Sequence, residues 1–569
     1  MIRVLREASR LIDMSTPMVI RSCLLCVALV AACAARAETG VWCYKPYEYE
    51  AWMLQRMQAE NDRGVLYVGY PGKYLHLDQE PAAFFSSVPV AGYEPIPGTP
   101  DEPPHRRERP TKEMPLKFSD GIYDLGHIDI GYVTVEAEDR PMLFVGESLP
   151  EVRNTDARGF EQSLLMIPVG PGKWRSDIPL SLRYFRFTTK IRKAHFLSQV
   201  DWREPSGKFI CGDARKEKLW RTGVETIRVC TRTFLVDGVK RDRLPWAGDL
   251  VVAMLAQAYS FGDSEPIKRE LVAIGSGDET QGHVNGIAAY SLWWVIAHDL
   301  LQRYFGEGDY LKLHYPKIRM RLREIVTHED ERGFFARDLG WNFLDWTDRK
   351  GAGLTSEITL QVIYFAALRA AERLARRQND GVSAEMWRTK AETLRRKILS
   401  VGMDRTRHAR ALAIVFGLVE GETARRYAKE LAADDLPSTV TPYMSTFEVM
   451  ALAKGGEPEA ALKKFESVWG EMVDFGVDTY WEGWDHADKG DDIYMYYGRP
   501  FGKSLCHAWS SGPAFLIPGV FLGIVPVEDG WAKWESKPLI PRFAPNARVT
   551  VPTKNGPIEH CISKGGLCR

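Results

Sequence analysis

The chain lacks net charge: 75 Lys and Arg stand against 75 Asp and Glu in 569 residues. It therefore has no basic surplus for a nucleic-acid backbone or an anionic membrane face, and no nucleic-acid partner is expected. Past the N-terminus it lacks any apolar run near the roughly 20 residues that a transmembrane helix needs. Cysteine is scarce, and the nine present do not fall at the paired spacings that hold structural zinc, so no metal site is expected. A short-period repeat is also missing, which argues against a solenoid. What remains is an ordinary globular composition, 45% hydrophobic and 26% charged, over a length that suits about three domains. The chain is rich in tryptophan, with 17 residues. Most should be core, but a few flat indole faces would suit the C–H faces of sugar rings.

The N-terminus reads as an export signal over residues 1–37. Arg21 precedes an apolar run from Cys23 to Ala35, and Ala35-Arg36-Ala37 fits a small-x-small cleavage site before Glu38. Val30-Ala31-Ala32-Cys33 also resembles a lipobox, which makes lipid anchoring at Cys33 the alternative. Removing the signal would leave Cys43, Cys211, Cys230, Cys506, Cys561 and Cys568, an even set that permits disulfides in an exported protein. Cys561 and Cys568 close a short Gly-rich loop and are the expected pair.

Residues 38–207 carry short alternating runs such as Ile130–Glu136, Met142–Val145 and Leu182–Phe187, bounded by Pro and Gly. Alternation of this kind predicts half-buried strands and a β-sandwich domain. From about residue 208 to 517 the apolar spacing becomes helical, with Ala- and Leu-rich faces alternating with Arg and Glu over about a dozen segments. Strands are expected again in residues 518–569, where Arg548–Thr553 and Gly556–Glu559 predict a hairpin. That small unit should lean on the helical domain, because about fifty residues seldom bury enough surface to fold alone.

The densest polar cluster runs from Asp237 to Asp249, DGVKRDRLPWAGD, with three carboxylates and three bases. Gly238, Pro245 and Gly248 predict a structured loop, and Asp249 is placed to cap a helix starting near Leu250. A solvated charged turn is the plain alternative; Trp246 and the helix-entry position weigh against it. A second segment, Val477–Asp485, holds Glu482 between Trp481 and Trp484, an unusual setting for a surface charge.

The first cluster resembles the signature loop of bacterial α-L-rhamnosidases, glycoside hydrolase family 78, commonly D-C-P-Q-R-(D/E)-E-R-x-G-W-T-G-D. Asp237, Arg241, Arg243, Trp246, Gly248 and Asp249 fall on matching positions. The resemblance places the general acid on Asp242, in a loop one residue shorter and with Asp where many members have Glu. The second segment resembles the family's T-x-W-E-x-W, which makes Glu482 the general base. Ser504-Leu505-Cys506-His507 resembles S-L-N-H with Cys for Asn, and implies that His507 contacts sugar. Gly340–Trp346 and Tyr290–Trp294 resemble aromatic segments around the pocket, which puts Trp346 and Tyr290 beside Asp237, Arg241, Trp246 and Asp249 as substrate-binding residues. The resemblance further implies an (α/α)6 catalytic barrel flanked by the two β units.

Hydrolysis of a glycoside needs one carboxylic acid to protonate the leaving oxygen and one carboxylate to activate water. Asp237 and Asp249 would raise the pKa of Asp242, and Arg241 and Arg243 would oppose them. No cofactor is required, and the expected substrate is a carbohydrate with terminal α-L-rhamnose. Other expectations stay open: another (α/α)6 carbohydrate enzyme, such as an unsaturated glucuronyl hydrolase or a polysaccharide lyase, or a non-catalytic carbohydrate-binding protein.

Overall fold

The computed structural model describes residues 111–562 apart from residues 233, 242, 276–282, 336–341, 348–352 and parts of 156–165 and 434–440. The export signal, the lipobox at Cys33, Cys43, Asp242 and Cys568 lie outside the described residues.

The first unit is built from β1 (Lys112–Met114), β2 (Lys117–Ser119), β3 (Ile122–Glu136), β4 (Leu143–Gly146), β5 (Met166–Gly170), β6 (Lys173–Ser176), β7 (Leu180–Phe187) and β8 (Lys193–Ser198). A short helix, α1 (Leu149–Arg153), follows β4 and is capped by the Ser148 side chain. All eight strands are antiparallel and hydrogen-bonded into one continuous sheet, because the long β3 pairs in turn with β2, β7, β8 and β6. A bulge between Asp124 and Asp129 lets β3 bend. The strands enclose a small apolar core that includes Val133, Val135, Leu180, Leu182, Phe185 and Phe196. Gly131 is needed where β3 meets β8: a Cβ there would lie 2.1 Å from the Leu197 carbonyl oxygen.

Helices then come in pairs. They are α2 (Ala214–Cys230) and α3 (Ala247–Ser260), α4 (Glu265–Gly275) and α5 (Ala288–Phe305), α6 (Gly308–Thr327) and α7 (Glu357–Arg377). Next are α8 (Gly381–Val401) and α9 (Arg407–Val415), then α10 (Gly421–Ala432) and α11 (Pro442–Lys454). The sixth pair sets α12 (Pro458–Phe465) and α13 (Glu471–Phe475) against the broken helix 508–521, which contains α14 (Pro513–Phe515). The second member of a pair lies inside. Helix α3 is buried along its whole length, whereas α8 buries one stripe, including Trp387, Ala391, Leu394 and Ile398, at helical spacing. The inner helices pack side by side, α3 on α5, α5 on α7, α7 on α9, α9 on α11, α11 on segment 508–521, and α14 back on α3. This closes a six-hairpin toroid with β sheets on either side in sequence, as expected.

The chain then returns to strands. β10 (Ile524–Pro526) pairs with β11 (Trp534–Ser536). The expected terminal hairpin forms from β12 (Arg548–Val551) and β13 (Ile558–Cys561). β12 also pairs with β9 (Lys208–Ile210), a strand just before the first barrel helix, so the tail does lean on the barrel. Cys561 is disulfide-bonded. Cys211, Cys230 and Cys506 are free, although the Cys230 and Cys506 sulfurs lie 3.7 Å apart in the core.

Candidate active site

The inner helices all begin at one end of the toroid, and the polar residues singled out above collect there. Asp249 is in the first turn of α3, Tyr290 in the first turn of α5, and His507 at the N-cap of residues 508–510. Helix N-termini carry partial positive charge, so this mouth favours carboxylates.

The Asp237–Asp249 loop is not a solvated turn. Asp237, Lys240, Arg241, Arg243 and Asp249 are all buried. Asp237 closes the loop on itself: its amide donates to the Leu244 carbonyl at 3.0 Å, and its Oδ1 accepts from the Leu244 amide at 2.9 Å. Its carbonyl also accepts from the Ala508 amide at 2.6 Å, which joins the loop to the segment carrying His507. Arg243 has a positive φ of 53°, a conformation costly for a residue with a Cβ. Its guanidinium anchors that strained position by donating to the Pro179 carbonyl at 2.6 Å and Gln162 Oε1 at 2.7 Å, both in the β-domain.

Arg241 turns the other way. Its Nη2 donates to both carboxylate oxygens of Glu482, and its Nη1 to the Gly502 carbonyl. Glu482 is 1% exposed and also accepts from the Tyr497 hydroxyl at 2.9 Å and the Ser504 amide at 3.0 Å. Burial works to raise its pKa, but the Arg241 guanidinium and the Ser504 amide hold Glu482 below the usual carboxylate range. These four hydrogen bonds fill the four lone-pair positions of a carboxylate. For Glu482 to take a proton from water, one donor must let go.

His507 is buried, with Nε2 4.0 Å from Glu482 Oε1 and Nδ1 without a hydrogen-bond partner. Burial lowers its pKa to about 3, with Glu482 opposing and Arg241 assisting. It is therefore a neutral imidazole at working pH, able to donate or accept toward a sugar hydroxyl without repelling Arg241.

An aromatic arc lines the mouth. Trp246 meets Tyr290 edge-on at 6.0 Å, Tyr290 meets Phe343 at 6.2 Å, Phe343 meets Trp346 at 4.5 Å, and Trp346 meets Tyr497 at 5.2 Å. Gly248 is required here, because a Cβ would lie 2.6 Å from the Tyr290 ring. Tyr290 is itself buried and points its hydroxyl at Asp249, donating at 3.2 Å, so it orients that carboxylate. Trp246 and Trp346 keep partial exposure.

Asp249 does not cap α3. The helix starts three residues earlier than expected, with Trp246 at the N-cap making no side-chain bond. Asn285 Oδ1 instead takes the Ala247 amide at 3.1 Å. Asp249 thereby sits inside the first turn, where it accepts from Tyr290.

The structure thus brings Asp237, Arg241, Trp246, Asp249, Tyr290, Trp346, Glu482 and His507 to one end of the barrel. It adds Tyr497, Asp345 with His408, and Glu270. Tyr497 has a φ of 51° in a two-residue turn closed by mutual backbone bonds between Tyr496 and Arg499, and Arg241 lies 4.5 Å over its ring. Only the Tyr-Gly step hinted at such a turn. Buried Asp345 accepts from Thr441 Oγ1 at 2.6 Å and lies 2.7 Å from His408 Nε2, which fixes the backbone under Trp346. Buried Glu270 on α4 accepts from the Leu235 amide at 3.1 Å behind the loop. Burial, reinforced by Asp249, pushes its pKa well up.

Tyr497→Phe should separate the two influences on Glu482. Loss of a charged hydrogen bond raises the Glu482 pKa, so the acid limb of kcat/KM should move up by about one pH unit. An unchanged limb would show that the Tyr497 hydroxyl does not set it.

The sequence profile of the bacterial α-L-rhamnosidase six-hairpin glycosidase domain matches residues 204–518. The chain belongs to this family. Among solved structures it is similar to a glycoside hydrolase family 78 rhamnosidase from a Bacillus strain, with a TM-score of 0.65 and 21% identity over 79% of this chain and 51% of that one. A rhamnosidase from Klebsiella oxytoca with rhamnose bound gives 0.60 and 21%, over 71% of this chain and 88% of that one. A Streptomyces avermitilis α-L-rhamnosidase in complex with L-rhamnose gives 0.63 and 18%, over 80% and 47%. The chain thus spans about half the length of the Bacillus and Streptomyces proteins. No curated protein matches it in sequence. At these identities the likeness speaks to the fold, and the site's chemistry rests on its own geometry.

Proposed function

We propose that the protein is an exported α-L-rhamnosidase that removes terminal α-L-rhamnose by single-displacement, inverting hydrolysis. The observation that carries the reading is Glu482: a buried carboxylate kept ionised by Arg241 at the mouth of a family barrel, ringed by aromatic side chains. Glu482 activates water, and Asp242, by family resemblance, protonates the leaving oxygen. Rhamnose carries a methyl group where most hexoses carry a hydroxymethyl, and the Trp246–Trp346 arc offers the apolar contact that a methyl rewards. Neutral His507 and the carboxylates of Asp237 and Asp249 supply hydrogen-bond partners for the ring hydroxyls.

The test is release of rhamnose from an aryl α-L-rhamnoside, with much poorer turnover of the α-L-mannoside and β-D-glucoside. Equal rates on all three, or none on the rhamnoside, would refute the substrate. Proton NMR of the first product should show β-L-rhamnose, since a water-mediated base inverts the anomeric centre; α-product first would refute the mechanism. The export proposal rests on the N-terminal pattern. Sequencing of the mature protein should find Glu38 first, whereas lipid at Cys33 would identify an anchored form.

A further inference from the structure

We infer that the β-domain completes the candidate active site: Glu147 and Glu151, acting through Lys240, are positioning residues. They hold the 237–249 loop against segment 501–505 so that Arg241 stays on Glu482. The inference rests on the proposed role of Glu482.

Lys240 is 1% exposed. Its Nζ lies 3.0 Å from Glu151 Oε2 and 3.4 Å from Glu147 Oε2, and donates to the Phe501 and Lys503 carbonyls at 3.1 and 2.9 Å. One ammonium therefore ties together three segments far apart in the chain. Glu147 adds its own link, accepting from the Leu505 amide at 2.7 Å and from Ser181 Oγ at 2.6 Å within the β-domain. Glu151 turns back to accept from the Glu147 amide at 2.9 Å. The neighbouring residues on both sides of this knot are the site. Arg241 follows Lys240 and donates to the Gly502 carbonyl as well as to Glu482, while Ser504 donates its amide to Glu482.

A buried lysine held this way is weak evidence for net stability, because desolvating three charges offsets most of their attraction. It is a rigid way of setting register between two loops. Burial, with Lys240 opposing and Glu147 adding to it, raises Glu151 to about 7. Tyr494 is the further titratable group that senses Glu151 and Lys240.

The experiment compares Lys240→Met, Glu151→Gln and the double variant with wild type and with Glu482→Gln. The readouts are the melting temperature, kcat and KM on an aryl α-L-rhamnoside across pH, and hydrogen–deuterium exchange of residues 237–249 and 501–505. Lys240→Met should melt lower and lose about 10- to 100-fold in kcat, as misplacement by roughly an ångström does. KM should change little, and the acid limb should rise as Arg241 loosens from Glu482. The double variant removes one of the two carboxylates that lose Lys240 and should recover part of the melting temperature but not kcat, with faster exchange in both segments. If Lys240→Met does not fold, the double variant decides alone. A double variant that regains wild-type kcat, acid limb and exchange overturns the inference and leaves the knot a stability element. Glu482→Gln separates the two failures. An active Glu482→Gln enzyme sinks the base assignment, while the exchange data still judge the latch.

Discussion

Glu482→Gln should reduce kcat by about 10²- to 10⁴-fold, the range for a general base. The loss should be similar for every leaving group, because each turnover needs the same activated water. Asp242→Asn provides the contrast: it should damage poor leaving groups most, since an activated aryl oxide departs with little protonation. The amide in Glu482→Gln keeps the shape of the side chain, but its one acceptor oxygen cannot serve both the Tyr497 hydroxyl and the Ser504 amide, and Arg241 loses its counter-charge, so kcat is read at a temperature where the variant is folded. Rate loss of this size in protein that is folded at the assay temperature would support a chemical role. Near-wild-type turnover would mean that the base is elsewhere, with Asp237 and Asp249 the carboxylates to try next.

Arg241→Met should be the most destructive single change at the mouth. Arg241 and Glu482 are 6% and 1% exposed, and stranding one partner of a buried pair costs about 3–5 kcal/mol. The sign of its pH effect follows from the forces on Glu482. Burial alone pushes that carboxyl up, and Arg241 is the foremost influence holding it down. Without the guanidinium the folded pKa rises, the base is protonated over more of the acid range, and activity should survive only toward higher pH. Arg241→Lys should fall between, because an ammonium keeps the charge but lacks the fork that reaches Glu482 and the Gly502 carbonyl together. A pH–rate profile and a melting curve on each variant check this. An Arg241→Met protein as stable as wild type would show that the pair is solvated in solution.

How much of this was legible depended on the range over which each contact acts. Helix α5 was readable to its ends because its signals are local: apolar spacing from Ala288 and a left-handed Gly306 that stops it. Strand β9 was not readable, since three residues at 208–210 become a strand only through β12. The cap assigned to Asp249 failed for a related reason, as the amide it would have served is satisfied by Asn285 from another loop. Motif resemblance found Glu482 and Arg241 but not that they bind each other. Tyr497, His408 and Glu270 carried no motif; each is defined by a partner distant in sequence, and charge or aromaticity alone does not mark such residues.

The pairing of β9 with β12 sets residue 209 beside residue 549, and α3 packs on α14 across a comparable interval. A ribosome making this chain delivers Arg241 long before Glu482, and β12 later still. The ring therefore cannot close co-translationally in stages. Helical hairpins can form as they emerge, because their contacts are local, but the final closure is a single long-range event that waits for the last strands. A chain cut at residue 518 would retain every residue of the mouth and the contact of α14 on α3, and would lose the pairing of β9 with β12. Truncations from the C-terminal side should accordingly yield helical but uncommitted chains, with refolding slow in proportion to the distance that this one closure must span.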